Sequence, residues 1–169
     1  LLDERKKEYE KNAIESYRPW MCLMTDGQPT DNVNSATART KELVKKLSPS
    51  LIISIERCSV TADGVYRNML GVDISDYTAK VDYIVDEQPC SIGIGDGGNE
   101  IGMGNLREVI SEIDNLPQDP AVTETSELLI ASVSNWGGYG LVAALSQLSG
   151  RNLLPSEKEE EENIQRCVE

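Results

Sequence analysis

Two rhythms of apolar and polar positions alternate along this chain. Four short apolar runs read as strands: Met21–Met24, Ser50–Glu56, Cys90–Ile94 and Leu128–Val133, the last three buried. Elsewhere the apolar positions recur at helical spacing. A helix is predicted over residues 1–17, with Tyr9, Ala13, Ile14 and Tyr17 on one stripe, and Arg18-Pro19 stops it. A second runs from Ser35 to Leu47 and closes before Pro49. Leu106, Val109, Ile110 and Ile113 fall at i, i+3, i+4 and i+7 of a helix expected to open at Gly97 and reach Asn115. Leu141, Val142, Leu145 and Leu148 mark a helix after the last strand, with Gly150 as its stop. Pro155-Ser156 begins a final helix in which Ser156 and Glu159 are spaced as a capping box.

Between these elements the pattern weakens. Residues 57–73, with Asp63-Gly64, and residues 116–126 read as loops, and Thr25-Asp26-Gly27 reads as a turn. In the stretch 75–87, Val81, Ile84 and Val85 suit a helical stripe, while its β-branched content argues weakly for a strand. The recurring order of apolar strand, glycine turn and amphipathic helix predicts one α/β domain over residues 1–169. It is expected to be Rossmann-like, with a mostly parallel sheet flanked by helices.

Composition narrows the chemistry. With 16 basic and 29 acidic residues among 169, the net charge is −13, which opposes binding to nucleic acid or to an anionic membrane. No apolar run approaches the length of a membrane span. There is no His and no Phe. His-based triads and His-based zinc sites are thereby excluded, and acid–base work falls to Asp, Glu, Tyr, Lys or Cys. Cys22, Cys58, Cys90 and Cys167 form no C-x-x-C pair and are read as reduced thiols in an intracellular protein. The acidic run Glu157–Glu162 is read as a solvated helix start, where the helix dipole favours it.

Glycine marks the place where chemistry is expected. Six of the 13 glycines lie between Gly93 and Gly104, in the run SIGIGDGGNEIGMGN. Asp96, Gly97, Gly98, Asn99 and Glu100 follow a strand at the sheet's carboxyl edge, where ligands bind in parallel α/β folds. The glycine spacing fits neither the dinucleotide fingerprint nor a P-loop, so no nicotinamide cofactor is expected. Two further loops occupy the equivalent position after their strands. One carries Glu56, Arg57, Asp63 and Asn68; the other carries Ser134 and Asn135, as ligand contacts or helix caps. Trp136 in that second loop is expected to pack into the core, and Glu56 with Arg57 could also be ion-paired scaffolding.

Three runs carry a family resemblance: SIGIGDGGNEIGMGN (91–105), SIERCSVTADGVYRNMLGVDIS (54–75) and VSNWGGYGLVAAL (133–145). Over about residues 50–165 the chain resembles the carboxy-terminal domain of the D-glutamate cyclase family, which includes bacterial proteins and a mitochondrial enzyme. The resemblance implies conversion of D-glutamate to 5-oxo-D-proline with loss of water. It also implies the cytoplasm if the chain is bacterial and the mitochondrial matrix if it is eukaryotic. Some members carry a second, hydro-lyase-like domain. Family domains are longer than this chain, so the 169 residues are expected to represent the domain incompletely, and the His count bounds only them.

For such a reaction, Asp96 or Glu100 is expected to take the amine proton, assisted by a protonated partner or a metal ion. The substrate's α-carboxylate is expected on the N–H groups of Gly97 and Gly98 at a helix start, with Arg57 beside it. Glu56, Arg57, Asp63, Asn68, Gly97, Gly98, Asn99, Ser134 and Asn135 are the expected substrate contacts. Glu56, Asp96 and Glu100 are the candidate ligands for Mg²⁺ or Mn²⁺. The expected partner is a small acidic amino acid such as D-glutamate, with no nucleic acid and no membrane; a homo-oligomer stays open. A non-catalytic binding or regulatory module for an acidic amino acid or nucleotide is the alternative.

Overall fold

The computed structural model describes residue 11 and residues 21–24, 33–86 and 88–168. Apart from Lys11, the helix expected over 1–17 lies outside the described residues, as does the turn at 25–27. Four strands, β1 (Met21–Met24), β2 (Ile52–Ile55), β3 (Ser91–Gly95) and β4 (Glu127–Ile130), form one sheet in the order β1-β2-β3-β4. Every neighbouring pair is parallel, with Ile52 opposite Met21 and Ser91, and Ile94 opposite Ile55 and Leu129. The parallel α/β expectation holds. The described strands run in sequence order, without the reversal that defines a doubly wound sheet.

Strand alternation sends the sheet's two faces to different covers. On one face lies Ile52, joined in a buried cluster by Val44 of α1 (Val33–Leu47) and by Val81, Ile84 and Val85 around the one-turn α2 (Tyr83–Asp86). Ile101 completes that cluster. Fully burying side chains such as Ile52, Ile84 and Ile101 stabilises the fold by roughly 2 kcal/mol each. Gly93 lies on the same face because the chain returns directly over it: a Cβ there would stand 2.4 Å from the Ile101 carbonyl oxygen. A second cluster, Met103, Ile110 and Ala121, with Leu116 and Leu128 against it, continues the cover toward β4. The opposite face belongs to α4 (Ser134–Ser149). Gly137 brings this helix down until a Cβ would meet Ile94 Cγ2 at 2.6 Å and Leu129 Cδ2 at 2.7 Å.

Three expectations are corrected. Gly97 opens no helix: after the 96–100 loop come a 3-10 turn (Met103–Leu106) and a short α3 (Arg107–Ser111). Of the predicted stripe only Ile110 is buried, while Leu106, Val109 and Ile113 are exposed, because the segment is too short to present a continuous helical face. Trp136 is 65% exposed, since the close approach of α4 at Gly137 turns its neighbour outward. The expected stop at Gly150 forms, ending α4 in a left-handed conformation at φ 65°. The capping box also forms, with the Ser156 amide donating to Glu159 Oε2 at 2.8 Å ahead of α5 (Glu157–Val168). No helix among the described residues is long and apolar enough to cross a membrane.

Candidate functional site

Topology makes the carboxyl edge of β3 and β4 the expected place for a ligand crevice. The connection leaving β3 covers one face and α4, which follows β4, covers the other, so the two chains diverge as they leave adjacent strands. In open parallel sheets ligands bind outside the carboxyl ends of the strands. The loop after β3 brings Asp96 and Glu100 to it, and the end of β2 brings Glu56. Carboxylate oxygens of Glu56, Asp96 and Glu100 all lie within 4.8 Å of one another.

Each acid is set there differently. Glu56 is exposed and has φ 54°, a left-handed conformation uncommon for a non-glycine residue, while its amide extends the ladder to Ile94 at 3.0 Å. Asp96 reaches across the crevice and accepts the Ser134 amide at Oδ2, 3.0 Å away. The first turn of the 16-residue α4 has no acid of its own, so Asp96 supplies the negative charge that the helix start favours. Glu100 is 3% exposed. Its Oε1 accepts the amides of Gly97 at 2.8 Å and Asp96 at 3.3 Å, and its Oε2 has no partner. Burial pushes the Glu100 carboxyl above the usual carboxylate range, with nearby Asp96 adding to the rise and the amides opposing it. Gly95 makes room for this side chain: a Cβ there would stand 3.0 Å from Glu100 Oε2.

The Gly97 amide, expected as a cradle for substrate, donates to the protein's own Glu100. Gly98, at φ 87°, fits a turn packed against Ile110 and Pro117. Asn99 spans the crevice wall by donating from Nδ2 to the Arg67 carbonyl at 3.0 Å, and its own carbonyl accepts the Ser59 amide. Ser134 is wholly buried beside Asp96, with its hydroxyl unpartnered, and Asn135 next to it is exposed.

Three expected contacts are committed to the scaffold instead. Arg57 is 2% exposed, and its guanidinium donates to the Ala79 carbonyl. Desolvation lowers its pKa, opposed by its electrostatic neighbours Cys58, Tyr66 and Asp82. Asp63 pairs with Arg67 at 2.6 Å and accepts the Thr61 hydroxyl, which hold its carboxyl down at about 2. Asn68 closes a tight turn, its Oδ1 accepting the amides of Leu70 and Val72, both at 3.0 Å. Cys58 is buried with its thiol pushed up to about 11, chiefly by desolvation, which makes it a poor nucleophile.

The residues overlooked in the sequence are Tyr66 and Asp82, whose buried hydroxyl–carboxylate hydrogen bond lies beside Arg57. An acid lodged between Val81 and Tyr83 in an apolar stretch was the available signal. A 440 Å³ surface cavity lies between the turn at Met69–Gly71 and the segment around Pro117, away from the three carboxylates.

Comparison with known proteins bears on which family built this edge. A model of the D-glutamate cyclase-like, C-terminal family matches residues 4–169. The chain belongs to this family. It is 32% identical over 143 residues, 81% of its length, to the human protein named D-glutamate cyclase, mitochondrial. The chain spans about a fifth of that relative's length, 20%. The acid-bearing loop 96–100 and the start of α4 lie within the residues that this family model matches.

Proposed function

We propose that this chain cyclises D-glutamate to 5-oxo-D-proline with loss of water, acting at the crevice between the 96–100 loop and α4. The observation that carries this reading is the buried Glu100 carboxylate, which leaves one oxygen unpartnered beside Asp96. Membership of the D-glutamate cyclase-like family supports the choice of substrate.

The chemistry suits a pair of carboxylates. The substrate nitrogen enters as an ammonium and ends as a lactam N–H, so it sheds two protons. The departing γ-carboxylate oxygen leaves as water and takes up two. Groups that accept protons at nitrogen and return them at oxygen complete the reaction with no net change in the protein. Asp96 and Glu100 are assigned that work. Closing a five-membered ring is intramolecular, so the crevice chiefly has to hold the substrate folded. The Rossmann-like description of the fold is retained as our reading, supported by the parallel sheet and its covers on both faces. So is a mitochondrial matrix location in a eukaryotic source, or a cytoplasmic one in a bacterial source.

The test is to incubate the chain separately with D- and L-glutamate and follow 5-oxoproline. Formation from the D-isomer, abolished by Asp96→Asn and Glu100→Gln, supports the reading. Saturable binding of D-glutamate with no product would move the chain to the class of non-catalytic binding modules.

A further inference from the structure

Glu56 has no part in these proton transfers, yet its carboxylate lies within 4.8 Å of those of Asp96 and Glu100. Among the described residues no ion pair reaches any of the three. Arg57, the nearest cation in sequence, donates from Nη2 to the Ala79 carbonyl, has a buried, unpartnered Nε and lies among Tyr66 and Asp82. Three carboxylates, one of them almost wholly desolvated, are thus gathered with no ion pair to balance them among the described residues. An acidic substrate adds more negative charge to the same place. Such an arrangement is costly unless a cation joins it.

We propose that Glu56, Asp96 and Glu100 together bind one divalent cation of the Mg²⁺ or Mn²⁺ class. Two observations besides the acidity point to a ligand. Glu100 Oε2 is buried and unpartnered on a residue whose other oxygen is fixed by two amides, so the carboxylate is held ready and unsatisfied. The hydroxyl of Ser134, wholly buried and likewise unpartnered, belongs to the residue whose amide anchors Asp96. The donor set selects the metal class: all-oxygen and anionic, with no imidazole or thiolate, it suits a hard ion. At metal–oxygen distances of about 2.1 Å, ligand oxygens stand about 3–4 Å apart, so these three acids, gathered within 4.8 Å, draw in by about an ångström to share one ion. A carboxylate oxygen has lone pairs for two partners, so the bond from Ser134 to Asp96 and the amides on Glu100 survive cation binding. The role of the ion rests on the cyclisation reading: it draws charge from the γ-carboxylate oxygen that leaves as water. Its binding does not rest on that reading.

The experiment titrates the full 169-residue chain with Mn²⁺ alone and follows the loss of the free-ion electron paramagnetic resonance signal. The expected result is one saturable site, emptied by excess Mg²⁺. Glu56→Gln, at an exposed position that leaves the core intact, should weaken it by at least roughly tenfold, and Asp96→Asn likewise. Asp63→Asn, remote from the crevice, should bind as wild type. Absence of saturable Mn²⁺ binding by the folded chain, or wild-type binding in both crevice variants, would overturn the proposal. The two readings fail separately. Tight Mn²⁺ without any 5-oxoproline sinks the cyclase and keeps the site, whereas chelator-insensitive cyclisation without Mn²⁺ binding does the reverse.

Discussion

Two loops leave the carboxyl edge of neighbouring parallel strands, and both are rich in Asp, Asn and Gly. After β2, residues 61–75 satisfy themselves. Asp63 is held by Thr61 and Arg67, Asp73 accepts both the amide and hydroxyl of Ser75, and Asn68 closes its own turn. Their hydrogen bonds keep Asp63 and Asp73 below the ordinary carboxylate range. After β3, residues 95–100 do the opposite: Glu100 is buried, raised in pKa and left with one oxygen unmatched. Residue types that look alike in sequence are thus divided by their neighbours into a self-contained scaffold and a site with unspent capacity. A polar group that is buried and unpartnered costs stability, so a loop that keeps one invites a ligand to complete it.

The comparison breaks most visibly in turnover. Asp96→Asn or Glu100→Gln should lower D-glutamate cyclisation by at least about 100-fold, while Asp63→Asn stays within about twofold. Equal losses in both loops would show that the distinction drawn from hydrogen bonding is empty. Arg57 sharpens the contrast from the scaffold side. Because it donates to the Ala79 carbonyl from a buried position, Arg57→Ala should cost about 2 kcal/mol of unfolding free energy by removing a charge-assisted hydrogen bond and leaving that carbonyl unpartnered. Urea denaturation reads the loss, and KM for D-glutamate in the surviving folded protein should not rise; a large rise would return Arg57 to the substrate. Glycines give a third measure. Gly98 and Gly64 both have positive φ, 87° and 82°, but a Cβ at Gly98 would stand 2.9 Å from Ile110 Cγ2, whereas Gly64 faces open space. Gly64→Ala should cost about 1 kcal/mol from backbone strain alone, and Gly98→Ala about 3 kcal/mol with the steric overlap added.

How far these differences could be read from the residues depends on what each is made of. The strands were legible because β-branched runs such as Ile52–Ile55 bounded by turn residues have few other uses, and parallel order then carried Glu56, Asp96 and Ser134 to one edge. The glycine-rich run marks this edge, since the Ile101 carbonyl excludes a side chain at Gly93 and the Met103 and Glu100 side chains exclude one at Gly95. What eluded the pattern was direction. The spacing of Leu106, Val109, Ile110 and Ile113 is shared by a long helix and by a 3-10 turn with a five-residue helix, and burial of Ile110 alone decides between them. Arg57 and Asp63 were read by charge, but each is committed by a partner whose position follows from tertiary folding. Trp136 was read by hydrophobicity, while its orientation is fixed by Gly137 packing on Ile94.

The smallest expected effect is in acid. Asp63 is lowered from 3.8 to about 2 by the Thr61 hydroxyl and Arg67. A carboxyl depressed in the fold contributes stability above its unfolded value, and that contribution drains away as pH falls through about 2. Asp63 should therefore remain ionised at pH 3, where an ordinary aspartate is mostly protonated, and carboxyl carbon NMR titration reads it directly. Because the pair is exposed, salt should pull the value back toward normal by screening Arg67, while the Thr61 hydrogen bond keeps part of the shift. Arg67→Gln should do the same at low salt, and Thr61→Val should remove the larger share. If neither variant moves the titration, the loop after β2 does not satisfy its own charges, and the contrast with the loop after β3 loses its foundation.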